Sequence, residues 1–326
     1  MAKVIDLFSR KGGKAAAETT AQTTAQTAAQ APAASGGAAA LVEGFSIEVM
    51  PRTAAKIDSF AAILPAGTRV YIAHIDGTPV EDMIATARRI ASEGFDVMPH
   101  IPARIVPGAA ALDEWLAAYA GEAGCTSALL LGGGLSAPKG DFHCSMQLME
   151  TGLFDKRGFT RLHVAGHPEG NKDIDADGGE SVVMEAAAWK QAFAERTGAQ
   201  MAMTTQFLFE AEAALKWARR LREGGIDLPV HLGVAGPAKL QTLVKFAMAC
   251  GVGPSARVLT RRAADVTKLM LPFTPESMLE ELAAGLAADP SAGIEKIHFF
   301  PLGGIKATAE FTDRLRGGGA QARARA

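Results

Sequence analysis

The chain has 326 residues, 48% of them hydrophobic, and a formal net charge of −2 from 33 basic and 35 acidic residues. That balance gives no basic patch with interleaved aromatics for nucleic acid, and no run of about 18 apolar residues could span a bilayer. Cys125, Cys144 and Cys250 form neither a disulfide framework nor a CxxC knuckle, which fits a reducing, cytoplasmic setting.

Residues 15–40 hold almost only Ala, Thr, Gln, Gly, Ser and Pro. Such a stretch cannot bury apolar surface, so residues 1–42 are expected to be a disordered tail, without the apolar core of a secretory signal. Residues 317–326, rich in Gly, Ala and Arg, read as a second tail.

Between the tails, short β-branched apolar runs alternate with helical spacing. The strand candidates are Gly44–Val49, Arg69–His74, Phe95–His100, Ser127–Leu131, Arg161–Ala165, Met201–Gln206, Val230–Val234 and Lys296–Pro301. Thr78–Glu93, Ala211–Glu223 and Pro237–Cys250 each carry an apolar stripe, and Pro237 suits a first helical turn. Two helical segments, Ala256–Met270 and Pro275–Ala287, precede the last strand, so one is an inserted extra helix. Eight βα units over residues 43–316 predict an α/β fold, a single-domain (β/α)8 TIM barrel, over the doubly wound alternative.

In such a barrel, chemistry gathers at the C-terminal ends of the strands. There the sequence places Glu48, His74 with Asp76, His100, Gly132–Gly133–Gly134, the Gly166–Asn171 loop with His167 and Glu169, Gln206, and His231 less cleanly. Any single histidine could be a hydrogen-bonded structural residue. Convergence of Glu48, His100, Glu169 and Gln206 on one rim points to a site. The triple glycine lets a flat or phosphorylated ligand approach the backbone, or simply makes a tight turn. Neither GxxxxGK[ST] nor GxGxxG is present. His74, His100 and His167 are metal-ligand types, so a metal-dependent barrel hydrolase or lyase stays open, although HxH and HExxH are missing.

Five segments in order, FSIEVMPR (45–52), MPHIPAR (98–104), AGHPEGNKD (165–173), TTQFLFE (204–210) and HFFPLGG (298–304), resemble the methylenetetrahydrofolate reductase family over residues 44 to about 312. The resemblance implies FAD at the barrel rim, NAD(P)H as hydride donor and 5,10-methylenetetrahydrofolate as acceptor, in one-carbon metabolism. It makes Glu48 the catalytic general acid that protonates a folate nitrogen. Burial beside Ile47 and Val49 is expected to raise its pKa for that task. It makes Gln206 the residue that binds the pterin, and Leu240 stands where the family has a phenylalanine that stacks on nicotinamide or folate. Cofactor-binding positions by resemblance are His74, His100, Gly132, Gly133, Gly134, His167, Glu169, Asn171 and Lys190, the last matching a lysine at the flavin phosphates. The family's R-G-D is Gly132–Gly134 here, its tyrosine before P-E is His167, and a histidine after it is Asn171. A non-catalytic folate-binding relative is the further alternative. Oligomeric state is left open, a homo-oligomer included.

Overall fold

The computed structural model describes residues 37–250, 259 and 272–317. Eight strands close into an all-parallel barrel: β1 (Ser46–Val49), β2 (Arg69–Ile72), β3 (Asp96–Pro102), β4 (Ser127–Leu131), β5 (Arg161–Gly166), β6 (Gln200–Leu208), β7 (Val230–Ala235) and, as eighth, β10 (Ile294–Phe300). Their order around the barrel is β1-β10-β7-β6-β5-β4-β3-β2. The expected (β/α)8 barrel is therefore the observed fold.

Parity along each strand explains the layering. Side chains alternate between the two faces of a strand. Ile47, Val70, Ile72, Leu130, Val164, Leu232 and Phe299 belong to the main core, together with the helical Met83, Leu116, Trp217 and Leu221. Burying each such large side chain contributes about 1.5–3 kcal/mol. Helix α3 (Val80–Ser92) buries Met83, Ala87 and Ile90, and α8 (Ala211–Glu223) buries Ala214, Leu215, Trp217, Ala218 and Leu221. Both sets follow the helical spacing read in the sequence.

The other parity is unusual. Among the inward-facing strand residues, Tyr71, Met98 and Leu129, with Leu131 beside them, form a small apolar cluster. Ser46, His100, His163, Thr204, His231 and His298 are buried as polar groups. Barrel interiors are usually filled by branched apolar side chains. This one is a polar column.

Several elements depart from expectation. Helix α1 (Gly37–Leu41) buries Ala38 and packs on α10 (Glu276–Ala288) and α11 (Ile305–Leu315), so the packed chain reaches back into the segment expected to be tail. Its alanines suit a helix, and the following Val42 supplies a fully buried anchor. Pro237 does not open a helix. Ala238–Lys239 (β8) pairs antiparallel with Pro272–Phe273 (β9), and α9 begins only at Leu240 and ends at Ala249. The segment Ala256–Met270 lies outside the described residues apart from Leu259, whereas the segment expected at Pro275–Ala287 is α10.

Candidate active site

Glu48 leaves β1 one residue before the strand ends, on the same face as Ser46. Its Oε2 is 3.4 Å from His100 Nε2 and 3.8 Å from His298 Nε2. The Glu48 side chain keeps 19% exposure, while His298 keeps none. The carboxyl is therefore reachable from the barrel mouth and the second imidazole is not.

Electrostatics here differ from the sequence expectation. Burial pushes the Glu48 carboxyl up, but His100 and His298 outweigh it, and the net direction is down. His100 is pushed down to about 4, by burial first, against the pull of Glu48. The expected rise in the Glu48 pKa is thus reversed, because sequence reading saw the apolar flanks and not the imidazoles that fold against it.

Beneath this cluster runs a second polar layer. Tyr71 Oη lies 2.7 Å from His163 Nδ1 and 3.4 Å from Thr204 Oγ1. The Tyr71 ring also packs on His298, centroids 4.4 Å apart, and His163 meets the His231 ring edge-on at 4.6 Å. Burial holds both His163 and His231 well below the ordinary histidine range, and neighbours push each further down, His231 and Arg69 acting on His163, Lys296 and Arg69 on His231. His231 is the second residue of β7 and sits in this lower layer, not at the rim.

The loops after β3, β4 and β5 are tied by one guanidinium. Arg104 donates to His143 O (3.1 Å), Leu135 O (2.7 Å) and Asp173 Oδ2 (2.6 Å). Its backbone N–H donates to Gly132 O at 3.0 Å. Gly133 needs to be glycine: its φ is +92°, and an added Cβ would sit 3.0 Å from Pro102 Cβ. Around Gly134 an added Cβ meets nothing within 4 Å.

Lys190 of α7 (Ser181–Thr197) is only 6% exposed and has no hydrogen bond or ion pair among the described residues. Burial pushes its ammonium down to about 8. His167 is pushed down to about 4 by burial and then by Lys190, and its Nδ1 lies 3.4 Å from Asn171 Nδ2. His167 and Lys190 also line a cavity of about 20 Å³ with Gly166, Met203 and Trp217. That is room for about one water.

The remaining candidates scatter. His74 lies past the end of β2, donates from Nε2 to Thr78 O (3.1 Å), and packs on Trp115. Glu169 is partly buried in the loop after β5. Gln206 sits inside β6, where the register to β7 shifts, and its Oε1 accepts from Phe207 N. Leu240 is buried in a second apolar cluster with Phe207, Phe209, Leu243 and Phe300. So the structure brings Glu48 and His100 together, with His74 within electrostatic reach of His100, groups His167, Asn171 and Lys190 separately, and leaves Gln206 and Leu240 outside both groups. His298, Tyr71 and His163 went unassigned in the sequence reading. Among the described residues no group of three or more His, Cys, Asp or Glu is placed to hold a metal ion. No described helix is long and apolar enough to cross a membrane.

No family model matches the chain. Among solved structures it is similar to a deoxyribose phosphate aldolase from Aeropyrum pernix, described as having a unique tetrameric structure. The two are 14% identical over 86% of this chain and 94% of that one, with a TM-score of 0.35. It is also similar to a double mutant of a Serratia marcescens short-chain dehydrogenase/reductase, 12% identical over 82% of this chain and 99% of that one, with a TM-score of 0.24. Likeness at this level carries no functional argument.

Proposed function

We propose that the chain is a methylenetetrahydrofolate reductase-like oxidoreductase. A hydride from NAD(P)H reaches the methylene carbon of 5,10-methylenetetrahydrofolate, and a proton reaches the nitrogen that the carbon leaves, giving 5-methyltetrahydrofolate and NAD(P)+. The observation that carries this reading is Glu48 at the barrel mouth, its Oε2 3.4 Å from His100 Nε2.

The chemistry asks for an acid that can hold and release one proton beside the substrate. Burial and two imidazoles act on Glu48 in opposite directions. A flat substrate that covers the mouth removes the remaining water contact, and desolvation then favours the protonated carboxyl. Glu48 gives its proton to the folate nitrogen, which lets the five-membered ring open to an electrophilic iminium. His100, neutral near pH 7 because burial holds it at about 4, stands beside the carboxyl without adding charge.

FAD, when bound, would take the hydride from NAD(P)H and pass it on. The donor set past the end of β5 suits its phosphates: a buried ammonium at Lys190 with no acidic partner among the described residues, the Asn171 amide and the His167 imidazole. The cavity beside Lys190 admits only about one water, so an anion reaches it after the loop that follows β5 moves. A metal at the histidines is less well supported, because the Lys190 ammonium beside His167 repels a cation.

The test is an absorbance spectrum of the purified protein, followed by NAD(P)H oxidation with methylenetetrahydrofolate, with and without added FAD. Saturable, folate-dependent oxidation is expected. Its absence under both conditions overturns the reading.

A further inference from the structure

Directly below Glu48 stands a pair that the proposed reaction does not yet use. Ser46 and His298 are register partners on β1 and β10, both fully buried. Ser46 Oγ lies 2.9 Å from His298 Nδ1. His298 Nε2 has no hydrogen-bond partner among the described residues, and Glu48 Oε2 stands 3.8 Å from it. A buried ring nitrogen without a partner is destabilising, so its orientation toward the Glu48 carboxyl calls for a reason.

We propose that Ser46 and His298 are a positioning pair that orients the Glu48 carboxyl and sets when it holds its proton. The part played in catalysis rests on the function proposed above. The pair itself is a matter of geometry. A hydroxyl both donates and accepts. With Glu48 ionised, Ser46 donates to Nδ1 and the Nε2–H faces the carboxylate. With Glu48 protonated, Nδ1–H donates to Ser46 and bare Nε2 faces the acid proton. Ser46 thus serves either tautomer, and neither state of Glu48 leaves Nδ1 unpaired.

Neighbours fix the ring. Tyr71 packs on one side at 4.4 Å between centroids, and Phe300 meets it edge-on at 4.9 Å. His163 holds Tyr71 through its hydroxyl. The groups that act on Glu48 are His100 from β3 and His298 from β10, with Cys250 after α9 also within its field. His298 in turn acts on His163 and His231 below it. Of these, only His298 is tied to the strand that carries Glu48.

The experiment reads Glu48 directly. Full-length protein is labelled at glutamate Cδ with carbon-13, and the Glu48 resonance is assigned by its loss in Glu48→Gln. It is then titrated in wild type, Ser46→Ala, Ser46→Thr and His298→Gln, with near-UV circular dichroism as the folding control. Expected is a move of the Glu48 titration to higher pH in His298→Gln, a smaller move the same way in Ser46→Ala, and recovery in Ser46→Thr. Where the wild type turns over, the limb along which kcat falls with rising pH moves up in the same order, with KM for NAD(P)H unchanged. A folded His298→Gln protein whose Glu48 titrates as in wild type overturns the pair. So does a folded Ser46→Ala protein with no shift. A wild type without folate-dependent turnover overturns the proposed function instead, and the carbon-13 titration still decides the pair.

Discussion

Lys190→Met should stabilise the protein near neutral pH. Lys190 is 6% exposed, and burial takes its ammonium from an ordinary value of 10.5 to about 8. The folded state therefore binds the proton more weakly than the unfolded state. At about 1.36 kcal/mol per unit, that difference costs the folded protein about 3 kcal/mol at any pH below about 8. The sign follows from proton counts. Between about 8 and 10.5 the unfolded chain binds more protons, so wild-type stability rises with pH through that window and the cost is gone above it. Methionine keeps most of the apolar stem, and its imperfect fit subtracts less than about 1.5 kcal/mol. Urea unfolding of both proteins at pH 7 and at pH 10.5 measures this. The expected gain is about 1.5–3 kcal/mol at pH 7, shrinking toward zero or below at pH 10.5. A variant less stable than wild type at pH 7 refutes the reasoning, since it means the ammonium is compensated in the fold. A confirmed gain would mean that the lysine is kept at the expense of stability, as an anion-binding residue would be.

Three further outcomes follow from the same geometry. Glu48→Gln should lose most folate-dependent turnover, on the order of 100-fold or more for loss of a general acid, with folding and NAD(P)H binding nearly intact; near wild-type folate reduction sinks the assignment. His167, held at about 4 against an ordinary 6.5, makes stability fall as pH drops from about 6.5 through about 4, by up to about 3 kcal/mol, and His167→Gln should flatten that slope in thermal melts across the window. Gly133→Ala should cost about 1–3 kcal/mol through its positive φ and the contact with Pro102, whereas Gly134→Ala, which meets open space, should stay within about 0.5 kcal/mol of wild type in the same denaturation assay.

The barrel was legible because its signal is repeated and local. All eight strands appear within a few residues of their predicted bounds, and Ser127–Leu131 and Ala211–Glu223 match their ranges outright. Apolar residues on the outward parity must meet helices, and the helices must offer a matching stripe, so each element restates the pattern of its neighbour. Pro237 was misread for the opposite reason. A proline before an apolar stripe suits a helix start, but here a long-range pairing with Pro272–Phe273 keeps the chain extended until Leu240. Nothing local announces that partner.

The site was legible only at its outer edge. Glu48 and His100 could be found because both lie near the ends of short strands, where position along the chain maps onto the rim. The inner layer needs parity as well as position. Counting back in twos from Glu48 reaches Ser46, and the same step on the other strands takes Ala165 to His163, Gly233 to His231 and Phe300 to His298. Each of these is buried, three of the four being histidines, and together with Tyr71 they replace the apolar filling that a barrel interior normally has. Parity alone could have shown that the column was polar. It could not have shown that His298 faces Glu48, because that contact depends on β10 closing against β1, the pairing most distant in sequence. The Glu48 pKa depends in part on this same closure. Read along the chain, the carboxyl has Ile47 and Val49 for company and should be raised; read across the closed barrel, it has His100 from β3 and then His298 from β10, and is lowered. Its acid–base behaviour is therefore a property of the closed barrel, and any variant that loosens the β1–β10 seam should disturb the proton at Glu48 before it disturbs the fold.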